Sequence, residues 1–173
     1  ELVGMIPQNA NAVCIVRVRG ILQTDVAVRE RWAETQADRF LAGEAAVPHW
    51  VDTLVVGSLV RPSIPEEAWS AALAVVPPGS ELKAIAGRAE GHPERLAGVD
   101  AMHSTRGAIF LSLREDLVGV MSPDYRQEAS RWVRQIQSGG PSTVSPFLQQ
   151  VARVAGHIVL AMDLVDMFDP ERV

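Results

Sequence analysis

The sequence predicts an α+β fold: a mixed, largely antiparallel sheet of about six or seven strands with about four helices packed on it. Three observations lead to this prediction. Short apolar and β-branched segments lie between turn-forming residues. Helical patterns with start and stop signals separate some of these segments. Pairs of strands interrupt the helices, so the chain reads β-α-β-β-α-β-β-β-α-α-β rather than as a regular alternation.

The expected strands are apolar segments bounded by polar residues, glycine or proline. The clearest are the two arms of a hairpin within residues 108–121, joined by a short polar connection. Both arms are almost entirely apolar, which indicates a central position in the sheet, covered on both faces. The full set covers residues 12–18, a strand centred on 54–56 within 49–60, and residues 69–76, 96–102, 108–113, 117–121 and 157–162.

Residues 69–76 are ambiguous, because WSAALAVV suits both a buried strand and one face of a helix. The preceding residues 63–66 have the form of a helix-capping box, which favours the helix. Pro77 and Pro78 follow the segment directly and favour a strand that ends there. We expect the strand.

Four helices are predicted from the signals at their ends. A capping side chain begins each helix, and a glycine that tolerates a positive φ ends it. The starts are Thr24 or Asp25, Ser80, Ser122-Pro123 and Ser145-Pro146, and the stops are Gly43, Gly91, Gly139 and Gly156. The apolar face of the first helix includes Val26, Ala33, Ala37, Phe40 and Leu41.

Bulk composition excludes several classes of protein. A chain of 173 residues with 47% hydrophobic and 21% charged residues is typical of a globular domain. The net charge of -5 and the absence of a basic stripe argue against nucleic-acid binding. No apolar run approaches the length of a membrane span, so we expect no membrane insertion by this segment. The single cysteine, Cys14, cannot form an internal disulfide.

The C-terminal segment repeats the pattern of the first strand. Asn11–Gln23 and His157–Asp169 each contain a five-residue apolar run, a charge and, after a short step, two more apolar residues. We expect a single domain over residues 1–173. Residues 156–173 either complete its sheet or form the first strand of a second, similar module.

Carboxylates near the C-terminus are the first candidate site. Asp163, Asp166 and Asp169 have helical spacing, and carboxylates are preferred ligands of Ca²⁺ and Mg²⁺. The segment begins as a strand and lacks the glycine turn of a calcium loop. We therefore interpret these residues as a solvated strand end and a helix cap, and expect no metal or cofactor.

The nearest approach to a catalytic pair is His103-Ser104, with Asp52 or Asp100 as the orienting carboxylate. Such a triad is recognised by geometry rather than by sequence position. We interpret the pair as a polar turn before the hairpin and predict no catalytic residue.

Tryptophans supply the one binding candidate. Trp32 and Trp132 each follow an arginine on a predicted helix, and we expect both to cover the sheet with the indole edge near solvent, rather than to form a cation–π pocket. Trp50 lies in a loop-like stretch beside Pro48 and His49. An exposed loop aromatic is a typical binding contact, so Trp50 is the residue that we single out.

Several segments resemble a group of uncharacterised bacterial proteins: Ile6–Val13, Arg106–Ala108, Met121-Ser122-Pro123 with Tyr125-Arg126-Gln127, and Arg131-Trp132. The resemblance covers most of the chain, but its motifs are strand starts, a helix cap and a core tryptophan, and it implies no activity. Those proteins are often predicted to be secreted or membrane-anchored, so the resemblance implies an extracytoplasmic location, periplasmic or membrane-anchored, and a longer parent protein. The chain begins with Glu1, which fits either a removed signal or anchor or an arbitrary start point.

These observations favour a non-enzymatic interaction or structural module of a larger extracytoplasmic bacterial protein, with a protein partner or a second copy of itself as the binding partner. The first alternative is a small-ligand or peptide-binding domain that uses a sheet edge or a pocket around Trp50. The second alternative is a hydrolase of unknown substrate that uses His103 and Ser104.

Overall fold

An antiparallel sheet of eight strands forms the centre of the protein. The computed structural model describes residues 2–61, 66–86, 91–139 and 144–165. The strands are β1 (Ala12–Val16), β2 (Thr53–Arg61), β3 (Glu66–Val75), β4 (Gly91–Leu96), β5 (Val99–Ser104), β6 (Ala108–Arg114), β7 (Leu117–Ser122) and β8 (Ile158–Met162). Their spatial order is β4-β5-β6-β7-β3-β2-β1-β8, and all the pairings among them are antiparallel.

Six α-helices and a 3-10 helix accompany the sheet within the described residues. The 3-10 helix is Leu2–Met5, and the α-helices are α1 (Val18–Leu22), α2 (Asp25–Arg29), α3 (Trp32–Ala42), α4 (Leu82–Ala86), α5 (Arg126–Ser138) and α6 (Pro146–Val151). The α+β class is therefore confirmed: the described residues form eight strands and six α-helices, where about six or seven strands and about four helices were expected.

One face of the sheet carries the main core, and we call it the covered face. The 3-10 helix, α5 and α6 supply the side chains that pack on it. Trp132 of α5 is 1% exposed, and its indole Nε1 donates a hydrogen bond to the Met5 carbonyl at 2.6 Å. This bond satisfies the one polar atom of a deeply buried indole and ties α5 to the N-terminal segment.

Two glycines let this cover approach the sheet closely. A Cβ atom at Gly57 would lie 2.6 Å from Ile6 Cγ2, and one at Gly119 would lie 3.0 Å from Trp132 Cη2. Real Cβ atoms do not approach carbon this closely without displacing their neighbours. The absence of a side chain on β2 and β7 at these points therefore makes room for Ile6 and Trp132.

The opposite face has a smaller core, and we call it the open face. Ile85 of α4 packs there with four other buried residues: Val51, Ala74, Val76 and Val118. The remaining cover comes from α1, α2, α3 and the loop after α3, described below. The sheet is therefore packed tightly on one side and partly on the other.

Most strand predictions are confirmed. The ambiguous segment 69–76 lies in β3, and the hairpin within residues 108–121 forms β6 and β7 at the centre of the sheet. The weak strand expected at 96–102 is wrong in detail. A turn at Ala97-Gly98, with positive φ at both residues, divides it between β4 and β5.

The first predicted helix is two helices. Thr24 caps α2 by accepting a hydrogen bond from the Ala27 amide at 3.3 Å, and Gly43 ends α3 as expected. Between them Arg31 has a φ of 57°, which interrupts the helical path. The break changes which face is buried, so the expected apolar face is wrong at Val26 and Leu41, which are 41% and 67% exposed.

The helix start at Ser122-Pro123 is also wrong. Ser122 is the last residue of β7 and pairs with Ser70, and its hydroxyl donates to the Gly107 carbonyl instead of capping a helix. The Tyr125 amide donates to the Pro123 carbonyl at 2.8 Å, so a tight turn comes first and α5 begins at Arg126. The similar signal at Ser145-Pro146 is confirmed, since Ser145 Oγ accepts from the Leu148 amide at 3.3 Å.

The two segments with a similar pattern pair with each other. β8 lies antiparallel to β1 with Leu160 opposite Cys14. The Arg17 amide donates to the His157 carbonyl at 2.7 Å, and the Asp163 amide donates to the Asn11 carbonyl at 2.7 Å. β8 is therefore an edge strand of this sheet. The second module remains a prediction, because it concerns chain outside the described residues.

Candidate functional site

The open face carries a continuous apolar row, which we call the open row. One residue from every strand lies in register across the sheet: Pro93, Met102, Phe110, Val120, Ala72, Val56, Cys14 and Leu160. All eight are apolar or weakly polar, and none is fully buried. A partly exposed apolar surface of this extent is typical of a binding site.

Helices α1, α2 and α3 form an incomplete cover over part of this face. Contacts with the following loop hold α3 in place: Gln36 Nε2 donates to the Val47 carbonyl at 2.6 Å, and Phe40 packs edge-on against Trp50 with ring centroids 5.2 Å apart. α3 therefore lies over the sheet near its C-terminal end, whereas Trp32 at its start is 42% exposed.

A cavity of about 470 Å³ lies between α1, α3 and the sheet. Its walls are mainly apolar, and the polar atoms come from one side of α3. The apolar residues are Val16, Val18, Ile21, Leu22, Trp32, Val47 and Leu54, and the polar ones are Thr35, Gln36 and Arg39. This volume and lining match those of small-molecule sites, in which few polar groups orient a largely apolar ligand.

A second cavity of about 250 Å³, also with mainly apolar walls, lies near the middle of the sheet. Phe110 and Val120 of the open row form its floor, Phe40 and Ala86 lie at its walls, and Arg106 contributes a charge. Helices α3 and α4 therefore do not fill the space above the open row.

A cavity on the other side of the sheet, of about 460 Å³, has a different character. It lies along α5 and the loop at residues 7–9, and Glu128, Arg131 and Arg134 contribute to its lining. Charged groups on one helix face that reach solvent are ordinary surface features. We therefore place the candidate site on the open face.

The tryptophans are arranged differently from the prediction. Trp132 covers the sheet as expected, but its indole edge is buried rather than near solvent. Trp32 lines the 470 Å³ cavity, and its Nε1 donates to Glu30 at 3.0 Å. Trp50, the residue singled out from the sequence, is half-buried between Phe40 and His49, with both rings packed edge-on against it. Trp50 therefore helps to attach the cover and is only partly exposed, and its role in binding stays a prediction.

His103 and Ser104 lie on opposite faces of the sheet, because successive residues of a strand alternate. Ser104 is buried, and its hydroxyl accepts a hydrogen bond from the Arg106 amide at 3.1 Å. His103 Nε2 instead bonds to the carboxylate of Asp124, and neither Asp52 nor Asp100 is its partner. The His103 hydrogen bond lowers the pKa of Asp124 below its ordinary value, so this carboxylate stays ionised at neutral pH.

Of the three C-terminal aspartates, only Asp163 lies within the described residues. Its Oδ1 accepts a hydrogen bond from the Val165 amide at 3.1 Å, and hydrogen bonds from Ser145 and Val165 lower its pKa. Asp163 thus closes a turn after β8, in agreement with its interpretation as a strand-end residue. Asp166 and Asp169 lie outside the described part of the chain.

The sequence reasoning missed the residues of α1 that line the main cavity. Val18, Ile21 and Leu22 have the i, i+3, i+4 spacing of a helix face, but the first was assigned to the end of a strand. This spacing was the available signal. Gly20 lies between these residues and made the helix harder to recognise, because glycine is unfavourable inside a helix. A Cβ atom at Gly20 would lie 2.8 Å from His157 Nδ1, so close packing explains the glycine.

No protein-family model and no curated protein matches the chain. Among solved structures, crystal form I of TP0453 superposes with a TM-score of 0.55 at 10% identity, over 91% of this chain and 60% of that chain. Crystal form III gives 0.57 over 91% and 61%, and crystal form IV gives 0.52 over 91% and 62%, both at 10% identity. The chain therefore spans about 60% of the length of the protein that it matches, and the likeness shows a shared fold alone.

Proposed function

We propose that this chain is a non-enzymatic binding module of a larger extracytoplasmic bacterial protein, and that it holds a small apolar ligand between α1, α3 and the open face. The observation that carries the proposal is the open row, together with the 470 Å³ cavity beside it. Exposed apolar surface costs free energy in water, so a protein that keeps it unburied gains affinity when a ligand covers it.

The lining indicates the chemistry of the ligand. Apolar side chains from β1, β2 and α1 would contact a hydrocarbon portion, and the guanidinium of Arg39 at the rim would contact a polar or anionic end. Arg39 is only loosely paired, with its Nε 3.8 Å from the Glu44 carboxylate and both side chains exposed. An alkyl carboxylate is therefore a suitable test ligand.

The experiment uses dansylaminoundecanoic acid as a fluorescent probe. Thr35 is exposed on the cavity side of α3, so Thr35→Trp should fill the cavity and weaken probe binding about tenfold, which corresponds to about 1.4 kcal/mol. Asp38→Trp adds the same side chain at an exposed position of α3 outside the cavity lining, and should leave binding unchanged. Equal affinities for both variants, or no binding by the unmodified protein, would contradict the proposal.

The location is tested separately on the complete gene product. Expression with a C-terminal epitope tag in a bacterial host, followed by fractionation, should place the product in the periplasm or the membrane. Recovery from the cytosol would overturn this part of the proposal. None of the helices in the described ranges is long and apolar enough to cross a membrane.

A further inference from the structure

The two edges of the sheet differ in how they are protected. β4 forms one edge, and its central residues are Pro93, Glu94 and Arg95, which are features that prevent edge strands from pairing with other chains. β8 forms the other edge and has the sequence IVLAM, without a charge or a proline. Leu160 at its centre is 74% exposed. β8 is therefore the edge on which a further strand can add.

The backbone of β8 has hydrogen-bonding groups directed away from β1. His157 and Asp163 bond to β1 through their backbone, and these bonding positions alternate along an antiparallel strand. Ile158, Leu160 and Met162 therefore direct their N–H and C=O groups to the outer edge. No hydrogen bond from the described part of the chain reaches these groups.

The strand is complementary to itself in one register. If two β8 strands run antiparallel with Leu160 opposite Leu160, Ile158 lies opposite Met162, and the outward groups of all three residues form about six hydrogen bonds. The exposed side chains of Ile158, Leu160 and Met162 then meet on the open face as cross-strand apolar pairs.

The residues that flank the strand fit the same register. His157 lies opposite Asp163 of the other copy, and Asp163 lies opposite its His157, so an imidazole N–H faces a carboxylate at both ends of the strand pair. His157 is exposed and Asp163 is partly exposed. β8 also already pairs in register with β1, a strand of the same apolar pattern, on its inner side.

We propose that β8 pairs with β8 of a second copy of this chain, antiparallel and centred on Leu160, to form a two-fold dimer with a continuous sheet. This inference concerns the β8 edge of the sheet and does not depend on the ligand cavity, whose lining excludes Leu160, although Leu160 is also the last residue of the open row. Such an interface is isologous, since the same patch contributes on both sides.

Sedimentation analysis across a wide range of protein concentrations tests the dimer. The unmodified protein should show a concentration-dependent monomer–dimer equilibrium. Leu160→Lys places two ammonium groups opposite each other and should raise the dimer dissociation constant at least about tenfold. Leu41→Lys makes the same exchange at an exposed site on α3 and should leave the equilibrium unchanged. A protein that stays monomeric at all concentrations overturns the proposal, including the case in which its own residues 166–173 cover the edge.

Cysteine cross-linking tests the register. Cys14 is first replaced by alanine, because it lies opposite Leu160 within the chain. Leu160→Cys should then form a covalent dimer on oxidation, since directly opposite hydrogen-bonded residues have Cα atoms about 5.5 Å apart. Met162→Cys should not, because it faces Ile158 of the other copy, whereas Ile158→Cys combined with Met162→Cys should link. Equal cross-linking by Leu160→Cys and Met162→Cys would refute this register. If neither of these variants nor the double variant cross-links, the interface itself is refuted.

Discussion

Two adjacent rows of residues on the same eight strands have opposite environments. The open row has no fully buried member, whereas in the row next to it, which we call the covered row, the six central residues are buried. The covered row consists of Glu94, Ala101, Leu111, Gly119, Leu73, Val55, Ile15 and Val159. Each strand contributes one residue to each row, and these two residues are adjacent in sequence. The two rows therefore cross the same strands at nearly the same height.

The difference between the rows comes from what packs above them. Both rows are mainly apolar, so hydrophobicity along the strands predicts two buried faces. On the covered face, α5 and the N-terminal segment reach the sheet backbone at Gly57 and Gly119. On the open face, α3 is attached through Gln36, Phe40 and Trp50 and leaves cavities beside it. Apolar content therefore predicts where a face can be buried, but the helices decide whether it is.

The largest expected effect is at the centre of the covered face. Trp132→Ala should destabilise the protein by about 3–5 kcal/mol, because it leaves a large cavity and frees the Met5 carbonyl. Trp32→Ala, at the rim of the open-face cavity, should cost less than about 1 kcal/mol. Chemical denaturation measures both changes. Similar losses for the two variants would show that the open face is packed as well as the covered one.

Added volume should also distinguish the faces. Gly57→Ala and Gly119→Ala should each cost about 1–3 kcal/mol, because the new methyl group meets Ile6 or Trp132. Ala72→Val adds volume to the open row and should change the free energy of unfolding by less than about 1 kcal/mol. Thermal unfolding of the three variants measures this contrast, which disappears if Ala72→Val is as costly as the glycine substitutions.

Thiol accessibility gives a direct comparison of the rows in the folded protein. Cys14 belongs to the open row and is partly exposed, so a small maleimide should label it without unfolding. Ala101 belongs to the covered row and is buried. In a Cys14→Ala background, Ala101→Cys should react at least about tenfold more slowly, because labelling then requires local opening. Equal labelling rates would contradict the assignment of the two faces.

The smallest expected effect concerns the hydrogen-bonded pair of His103 and Asp124 at the margin of the covered face. His103 lowers the pKa of Asp124, so the carboxylate stabilises the folded state above its ordinary pKa of 3.8, and this contribution is lost as the pH falls through the lower folded-state value. Asp124→Asn should therefore be slightly less stable than the unmodified protein at neutral pH. The difference should vanish in acid, and a difference that persists there would exclude the hydrogen bond from His103 to the Asp124 carboxylate as its cause.

Local signals predicted elements well where the partner of each signal is close in sequence. Ser145 caps α6 through an amide three residues away, and Gly43 ends α3 through its own φ. Ser122-Pro123 carries the same start signal as Ser145-Pro146 but belongs to β7, because Ser122 pairs with a distant residue of β3. The break at Arg31 has no sequence signal of its own, since arginine is a good helix former.

The candidate site was less predictable than the fold. Trp50 was singled out correctly as a loop residue, but whether an aromatic ring is exposed depends on its neighbours, and Phe40 and His49 pack against it. The open row could not be recognised in advance, because its residues come from eight separate strands. Only the register of the sheet brings them into one line.

The sequence by itself determined the α+β class, the order of most strands and the helix ends with local caps, because these depend on periodicity and on hydrogen bonds between near neighbours. The tertiary structure decided the order of strands in the sheet, the pairing of β8 with β1, and which face is sealed. Those outcomes depend on contacts between residues far apart in the chain. Such contacts form only if the whole chain packs in one arrangement, and neither apolar content nor local spacing specifies that arrangement.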